Sequence, residues 1–117
     1  MALTIYHNPR CSKSRQTLAL LEENGQVPII RRYFDRPVHL EELQDLLKQL
    51  GFDDPRKLMR KGERLYKSLQ LKEVSDNNKL IAAMLAHPQL IERPIVSDGQ
   101  QAILGRPPEN VSVFFIK

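Results

Sequence analysis

Cys11 is the only cysteine of this 117-residue chain, and polar and cationic residues surround it. Arg10 precedes it and Ser12 and Lys13 follow it, unlike the apolar surroundings of a buried structural cysteine. An apolar run before Cys11 and an amphipathic run after it predict a junction between a strand and a helix. The free amide groups of a helix N-terminus favour a thiolate, and so do neighbouring cations. The sequence therefore predicts a nucleophilic thiol.

The elements that position Cys11 are predicted in the order strand, helix, strand. Residues 3–6 form an apolar run, and helical spacing from Ser12 ends at Asn24-Gly25. Residues 27–34 are rich in β-branched and aromatic residues, which is typical of a strand. Because the connecting helix is a short crossover, we expect the two strands to be parallel.

The middle of the chain is predicted to be helical throughout. Leucines repeat there with the spacing of one helix face, and capping or helix-breaking residues bound each segment. The predicted helices are 40–50 before Gly51, a short helix from Asp54-Pro55 to Gly62, 65–69, and a helix from a Ser75 cap to Pro88.

The end of the chain returns to strands. Residues 94–97 and 101–104 flank Asp98-Gly99 and predict a hairpin. Residues 109–116 are interpreted as a closing helix, although Val111, Val113, Phe114 and Phe115 would suit a strand equally well. This order predicts an α/β fold, a thioredoxin-like (glutaredoxin-type) core with a mixed sheet and an all-helical insertion. The single domain would comprise a core of residues 1–36 and 90–117 and an insertion of residues 37–89.

Composition narrows the functional classes. The net charge of +4 and the pI near 9.4 suit an anionic ligand but do not themselves indicate nucleic-acid binding. A single cysteine leaves no intramolecular disulfide, and we identify no leader, membrane-spanning run or metal site. The expectation is a monomeric cytoplasmic protein that binds neither membrane nor nucleic acid.

Four motifs carry a family resemblance. They are His7-Asn8-Pro9-Arg10-Cys11, Leu58-Met59-Arg60-Lys61, Glu92-Arg93-Pro94-Ile95-Val96 and Gly105-Arg106-Pro107. In this order and spacing they resemble the glutaredoxin-linked arsenate reductase (ArsC) family, in its shorter subgroup, and more distantly the Spx-like proteins. The resemblance implies a thioredoxin-like fold with a helical subdomain.

The resemblance also implies an activity. Cys11 would attack arsenate or a similar oxyanion, and Arg60, Arg93 and Arg106 would hold it. Guanidinium groups suit this task because they stay charged and can bind two oxygens at once. Glutathione would be the co-substrate and glutaredoxin the protein partner, with no bound cofactor. Pro94 would follow a cis peptide bond and face Cys11.

Four further residues are predicted to support Cys11. His7 would act through its charge or a hydrogen bond, and Asn8 would orient the loop. Ser14 and Arg15, in the first turn of the helix, would contact the thiolate or the anion.

Other functions remain open at this point. A low-molecular-weight phosphatase needs an arginine six positions after the cysteine, where this chain has Thr17. A glutathione-linked thiol oxidoreductase acting on another substrate would use the same residues. An Spx-like non-enzymatic regulator usually carries Cys-x-x-Cys, and Ser14 stands at the second position here.

Overall fold

A computed structural model describes residues 2–115 of the chain. The chain divides into two compact units, one comprising the residues up to Arg36 and from Arg93 onward, the other Pro37–Glu92. The sequence placed the second boundary between residues 89 and 90. It lies after Glu92 because Ile91 pairs with Met59 in an isolated antiparallel bridge and so stays with the helical unit.

The first unit is built on a four-stranded mixed sheet in the order β2-β1-β3-β4. Its strands are β1 (Thr4–Tyr6), β2 (Ile29–Arg31), β3 (Ile95–Ser97) and β4 (Ala102–Leu104). The parallel strands β1 and β2 are joined by α1 (Ser12–Glu23), whereas β3 is antiparallel to both β1 and β4. The predicted βαβ unit, hairpin and α/β class are confirmed.

Helix α1 covers the sheet with one face. Ser14, Thr17 and Leu21 are its buried residues, at the spacing of one helical stripe. Leu21 belongs to a buried apolar cluster whose other members are Leu3, Ile5, Val96 and Val111. This cluster joins the sheet, α1 and the end of the chain.

The closing helix is tighter than predicted. Pro108–Phe114 forms a 3₁₀ helix that packs against α1, with Val111 fully buried. The predicted helix ran to residue 116, which lies outside the described residues.

The second strand is shorter than the predicted run of residues 27–34. Only Ile29–Arg31 pairs with β1, because Val27 is 93% exposed and the chain turns at Arg32, whose carbonyl accepts from the Asp35 amide. β-Branched composition extended beyond the residues that reach the neighbouring strand.

The second unit contains only helical segments and the isolated bridge. Its α-helices are α2 (Leu40–Leu50), α3 (Arg64–Ser68) and α4 (Asn77–Ala86), and its 3₁₀ helices are Pro55–Leu58, Leu71–Glu73 and Pro88–Leu90. α2 buries Leu43, Leu46 and Leu47 and packs against α4. The left-handed conformation of Gly51 ends α2 as predicted.

Two predicted helix boundaries in this unit are wrong. The helix expected to run from Pro55 to Gly62 ends at Leu58, because Met59 is extended and pairs with Ile91. The N-cap of α4 is Asp76 and not Ser75, since the Asp76 carboxylate accepts a hydrogen bond of 2.9 Å from an amide of the first turn.

Among the residues described, no helix has both the length and the apolar character needed to cross a membrane.

The cluster around α1 makes a stability prediction. Leu21 is 0% exposed, so Leu21→Ala should lower the free energy of unfolding by about 2–5 kcal/mol through lost burial and a cavity. Chemical denaturation measures this change. Gln16→Ala, on the exposed face of the same helix, is the control and should change stability by less than about 0.5 kcal/mol. Equal effects of the two substitutions would contradict the assigned core.

Candidate active site

Cys11 lies at the N-terminal end of α1. It is the N-cap residue, with φ −92° and ψ 123°, and its side chain is partly buried. Its amide donates to the Asn8 carbonyl at 3.0 Å, and its carbonyl accepts from the Arg15 amide at 3.0 Å. The loop after β1 and the first turn of α1 therefore both fix the Cys11 backbone.

The surroundings of Cys11 favour the thiolate. Burial raises the pKa of the thiol, but the Ser14 amide, the Arg93 guanidinium and the Lys13 amide together outweigh burial and hold the pKa below its ordinary value. The predicted combination of helix N-terminus and nearby cation therefore acts on this sulphur.

The sheet register explains why Arg93 and Arg106 meet. β3 and β4 pair Ile95 with Leu104, and the Gly105 amide extends the pairing by donating to the Pro94 carbonyl at 2.9 Å. The next step of that register sets Arg106 opposite Arg93. These residues leave the sheet at the end where β1 leads into the Cys11 loop, because β3 is antiparallel to β1.

Arg106 contacts both of the other groups. Its Nη1 lies 4.0 Å from Cys11 Sγ and donates to the Arg93 carbonyl at 3.2 Å. The Cys11 sulphur, Arg93 and Arg106, which lie far apart in the sequence, are thus brought together.

Two hydrogen-bond donors of the Arg93 guanidinium have no acceptor among the described residues. Its Nε and Nη1 are buried and have no hydrogen-bond partner within residues 2–115. Buried donors normally have an acceptor, because an unsatisfied group loses its hydration without replacement. The two donors of Arg93 thus lack, within the described residues, the acceptor that such donors normally have.

The peptide bond between Arg93 and Pro94 is cis, as predicted. A second cis bond, between Arg106 and Pro107, was not predicted.

His7 and Ser14 form a buried pair behind the loop. His7 Nδ1 and Ser14 Oγ are 2.7 Å apart, and Ser14 Oγ also accepts from the Asn8 amide at 3.1 Å. Burial, and then the positive charges of Arg32 and Arg15, lower the pKa of His7. His7 is therefore neutral near pH 7, and the hydrogen bond, not the charge, is what it can contribute.

The remaining supporting residues shape the loop. The Asn8 side chain accepts from the Arg10 amide at 3.0 Å, which fits its predicted orienting role. Arg15 Nη1 donates to the Pro9 carbonyl at 2.8 Å, so this guanidinium binds the loop backbone.

Arg60 belongs to the helical unit and is described within it. Its Nε lies 3.9 Å from a carboxylate oxygen of Glu63 and 3.9 Å from one of Glu92. Its Nη1 is buried and has no hydrogen-bond partner in the part of the chain that the structure describes. Two carboxylates beside Arg60 were not predicted from the sequence.

Sequence reasoning also missed Thr17 and Gly105, which meet beside the site. Thr17 Oγ1 donates to the Lys13 carbonyl at 2.8 Å and lies 3.3 Å from the Gly105 carbonyl oxygen. In the sequence, Thr17 shares the helical spacing of Ser14 and Leu21 and stands where a phosphatase would need an arginine, and Gly105 opens the Gly-Arg-Pro motif. Neither feature predicts that the two residues meet.

The cause of the lowered thiol pKa can be tested by pH-dependent alkylation. The rate of Cys11 alkylation by iodoacetamide should reach half its maximum at a lower pH than that of a cysteine in an unstructured peptide. Arg93→Met should raise that midpoint, because the cation that stabilises the thiolate is lost. Arg10→Met, an exposed neighbour in sequence, is the control and should move the midpoint less. Equal movement would assign the effect to overall charge.

Comparison with known proteins identifies the family of this chain. A sequence model of the ArsC family matches residues 6–114. An arsenate reductase of Haemophilus influenzae is 51% identical over 112 residues, which are 95% of this chain and 97% of that protein. A protein of Escherichia coli named uncharacterized protein YfgD is 53% identical over 108 residues, covering 92% of this chain and 91% of that one.

A solved structure gives the same result. The arsenate reductase from Vibrio cholerae superimposes with a TM-score of 0.93 at 49% identity, covering 99% of this chain and 98% of that one. The fold is thus the predicted thioredoxin-like one. With the family match spanning most of its length, this chain belongs to the ArsC family.

Proposed function

We propose that this chain reduces arsenate to arsenite through a covalent adduct on Cys11. The observation that carries the proposal is the placement of Arg106 Nη1 4.0 Å from a sulphur whose pKa is lowered. The relatives from Haemophilus influenzae and Vibrio cholerae are named arsenate reductases, which supports the same substrate.

Charge explains why this arrangement suits arsenate. Arsenate carries one to two negative charges near neutral pH, and it must approach a sulphur that is itself negative. Two guanidinium groups reduce that repulsion and provide N–H donors for the arsenate oxygens. The buried Nε and Nη1 of Arg93 are donors that need such acceptors. Arg60 is the third arginine that we assign to the oxyanion, by its match to the family motif.

The first chemical step forms the adduct. The Cys11 thiolate attacks arsenic, a sulphur–arsenic bond forms, and one arsenate hydroxyl takes up a proton and leaves as water. Arsenic remains As(V) at this stage. The chain has no second cysteine to resolve the adduct, so the reductant must be another molecule.

Glutathione and glutaredoxin complete the proposed cycle. The glutathione thiolate attacks Cys11 Sγ, a sulphur–sulphur bond forms, and the electron pair of the broken sulphur–arsenic bond reduces arsenic to As(III), released as arsenite. A glutaredoxin thiolate then attacks the glutathione sulphur of the mixed disulfide and frees the Cys11 thiolate. The cycle thus needs a reducing compartment that supplies both thiols.

Phosphate should bind at the same place without being reduced. It resembles arsenate in shape and charge, so binding alone discriminates poorly between them. Selectivity then comes from the reduction step, and phosphate or sulfate should act as a weak competitor.

A coupled assay tests the proposed activity. Arsenate-dependent NADPH oxidation is followed with glutathione, glutaredoxin and glutathione reductase present, and Cys11→Ser should reduce it to background because the nucleophile is lost. Ser12→Ala, an exposed neighbouring position, should retain activity. Equal rates with and without wild-type protein would contradict the proposal.

The arginine at position 106 gives a graded prediction. Arg106→Gln should raise the KM for arsenate by about 10-fold to 100-fold, since a charge-assisted hydrogen bond contributes about 1.5–3 kcal/mol. Arg106→Lys keeps the charge but loses the two-pronged hydrogen-bonding geometry of a guanidinium, so its KM for arsenate should lie between those of the wild type and Arg106→Gln. Initial rates over a range of arsenate concentrations measure both. An unchanged KM in Arg106→Gln would remove this residue from the site.

A glutathione-linked oxidoreductase with another substrate is the alternative. The Arg93 donors would suit a carboxylate as well as arsenate. Inactivity towards arsenate, together with rapid Cys11 alkylation at neutral pH, would favour this second function.

A further inference from the structure

Gly105 occupies a position where the chain has no room for a side chain. A Cβ built there would lie 2.6 Å from Thr17 Oγ1, 2.9 Å from Thr17 Cγ2 and 2.9 Å from Pro94 Cγ. These separations are far inside ordinary van der Waals contact, which begins near 3.5 Å for carbon. The other glycines of the chain would meet nothing within 4 Å.

The neighbours of Gly105 cannot easily move aside. Thr17 is fully buried on α1, and as a β-branched residue it has few allowed side-chain rotamers. The Cγ of Pro94 is part of the rigid proline ring, and the Pro94 carbonyl accepts a hydrogen bond of 2.9 Å from the Gly105 amide. An added methyl group would therefore displace the backbone of Gly105.

Such a displacement would act on the next residue. Arg106 follows Gly105 directly, and its Nη1 is 4.0 Å from Cys11 Sγ, at the outer limit of a hydrogen bond to sulphur. Thr17 lies on the same helix that begins beside Cys11. The contact between Gly105 and Thr17 consequently sets how closely the end of β4 approaches the helix that carries the sulphur.

We propose that Gly105 and Thr17 are positioning residues that set the distance between the Arg106 guanidinium and Cys11. The inference rests on the proposed function only in naming arsenate as the anion that benefits. The distance between the Arg106 guanidinium and the Cys11 sulphur can be tested without arsenate.

The ratio of two alkylation rates measures the cation near the sulphur. Iodoacetate carries a negative charge and iodoacetamide is neutral, while both react with the thiolate. The fraction of thiolate therefore cancels in the ratio, and the ratio reports the local positive charge. At low ionic strength, where screening is weak, removing a unit charge about 4 Å away should lower the ratio about fivefold.

Gly105→Ala should lower the iodoacetate-to-iodoacetamide ratio nearly as far as Arg106→Gln does, because Arg106 moves away from Cys11. Gly62→Ala is the matched control, since a Cβ at Gly62 meets nothing within 4 Å, and its ratio should equal that of the wild type. Circular dichroism establishes that each variant is folded.

A compensating substitution tests the steric cause. Thr17→Ala removes two of the three close contacts. Adding it to Gly105→Ala should therefore restore at least half of the lost ratio, with Thr17→Ala alone as the reference. If Gly105→Ala does not fold, Thr17→Ile introduces bulk from the opposite side and should lower the ratio in the same way.

Two outcomes would overturn the inference. One is a wild-type ratio in folded Gly105→Ala, or in Thr17→Ile where the first variant does not fold. The other is a lowered ratio that Thr17→Ala does not restore. Wild-type protein that fails to reduce arsenate would refute the proposed function, but it would leave these ratios, and therefore this inference, unaffected.

Discussion

The hydrogen bond from the Gly105 amide to the Pro94 carbonyl is the interaction on which the site depends. It extends the β3–β4 ladder by one step and sets Arg93 and Arg106 opposite each other. Both arginines then lie at the end of the sheet where β1 leads into the Cys11 loop. The Arg93 cation there acts together with the amide groups of Ser14 and Lys13 to stabilise the Cys11 thiolate.

Opposing electrostatic effects meet at Cys11. Burial favours the neutral thiol, and the amide groups and the Arg93 cation favour the thiolate more strongly. The surroundings of Arg60 and Arg93 also differ. Arg60 lies beside two carboxylates and has one buried nitrogen without a hydrogen-bond partner in residues 2–115, whereas Arg93 has two such nitrogens. Arg93 is thus the better prepared of the two to receive an anion.

Periodicity predicted the fold well where one face of an element is buried. Helices α1 and α2 and the hairpin were predicted nearly at their observed positions for this reason. Helix boundaries were mispredicted in two situations. Ser75 and Asp76 are both good N-cap residues, so the sequence does not show which of them caps α4. The helix that begins at Pro55 ends early because Met59 pairs with Ile91, which is distant in sequence. Strand β2 was overestimated because composition does not show how many residues reach a neighbour.

The parts of the site that follow from residue type and from the family motifs could be predicted from the sequence. The grouping of Cys11 with Arg93 and Arg106 followed from the family motifs, and the helix N-terminus followed from the change from an apolar to an amphipathic run at Cys11. The contact between Thr17 and Gly105 could not be predicted, because it joins residues far apart in the chain. The protonation of His7 depends on burial and on Arg32, neither of which the local sequence reveals.

The single thiol at the start of α1 determines which disulfides this protein can form. Since Cys11 has no cysteine partner in its own chain, every disulfide it forms joins two molecules. A disulfide form of the protein therefore always carries the mass of its partner, whether that partner is a small thiol, another protein or a second copy, whereas oxidation to a sulphur oxyacid adds only oxygen. Intact-mass spectra of the oxidised protein taken from cells would identify directly the thiols that it meets there.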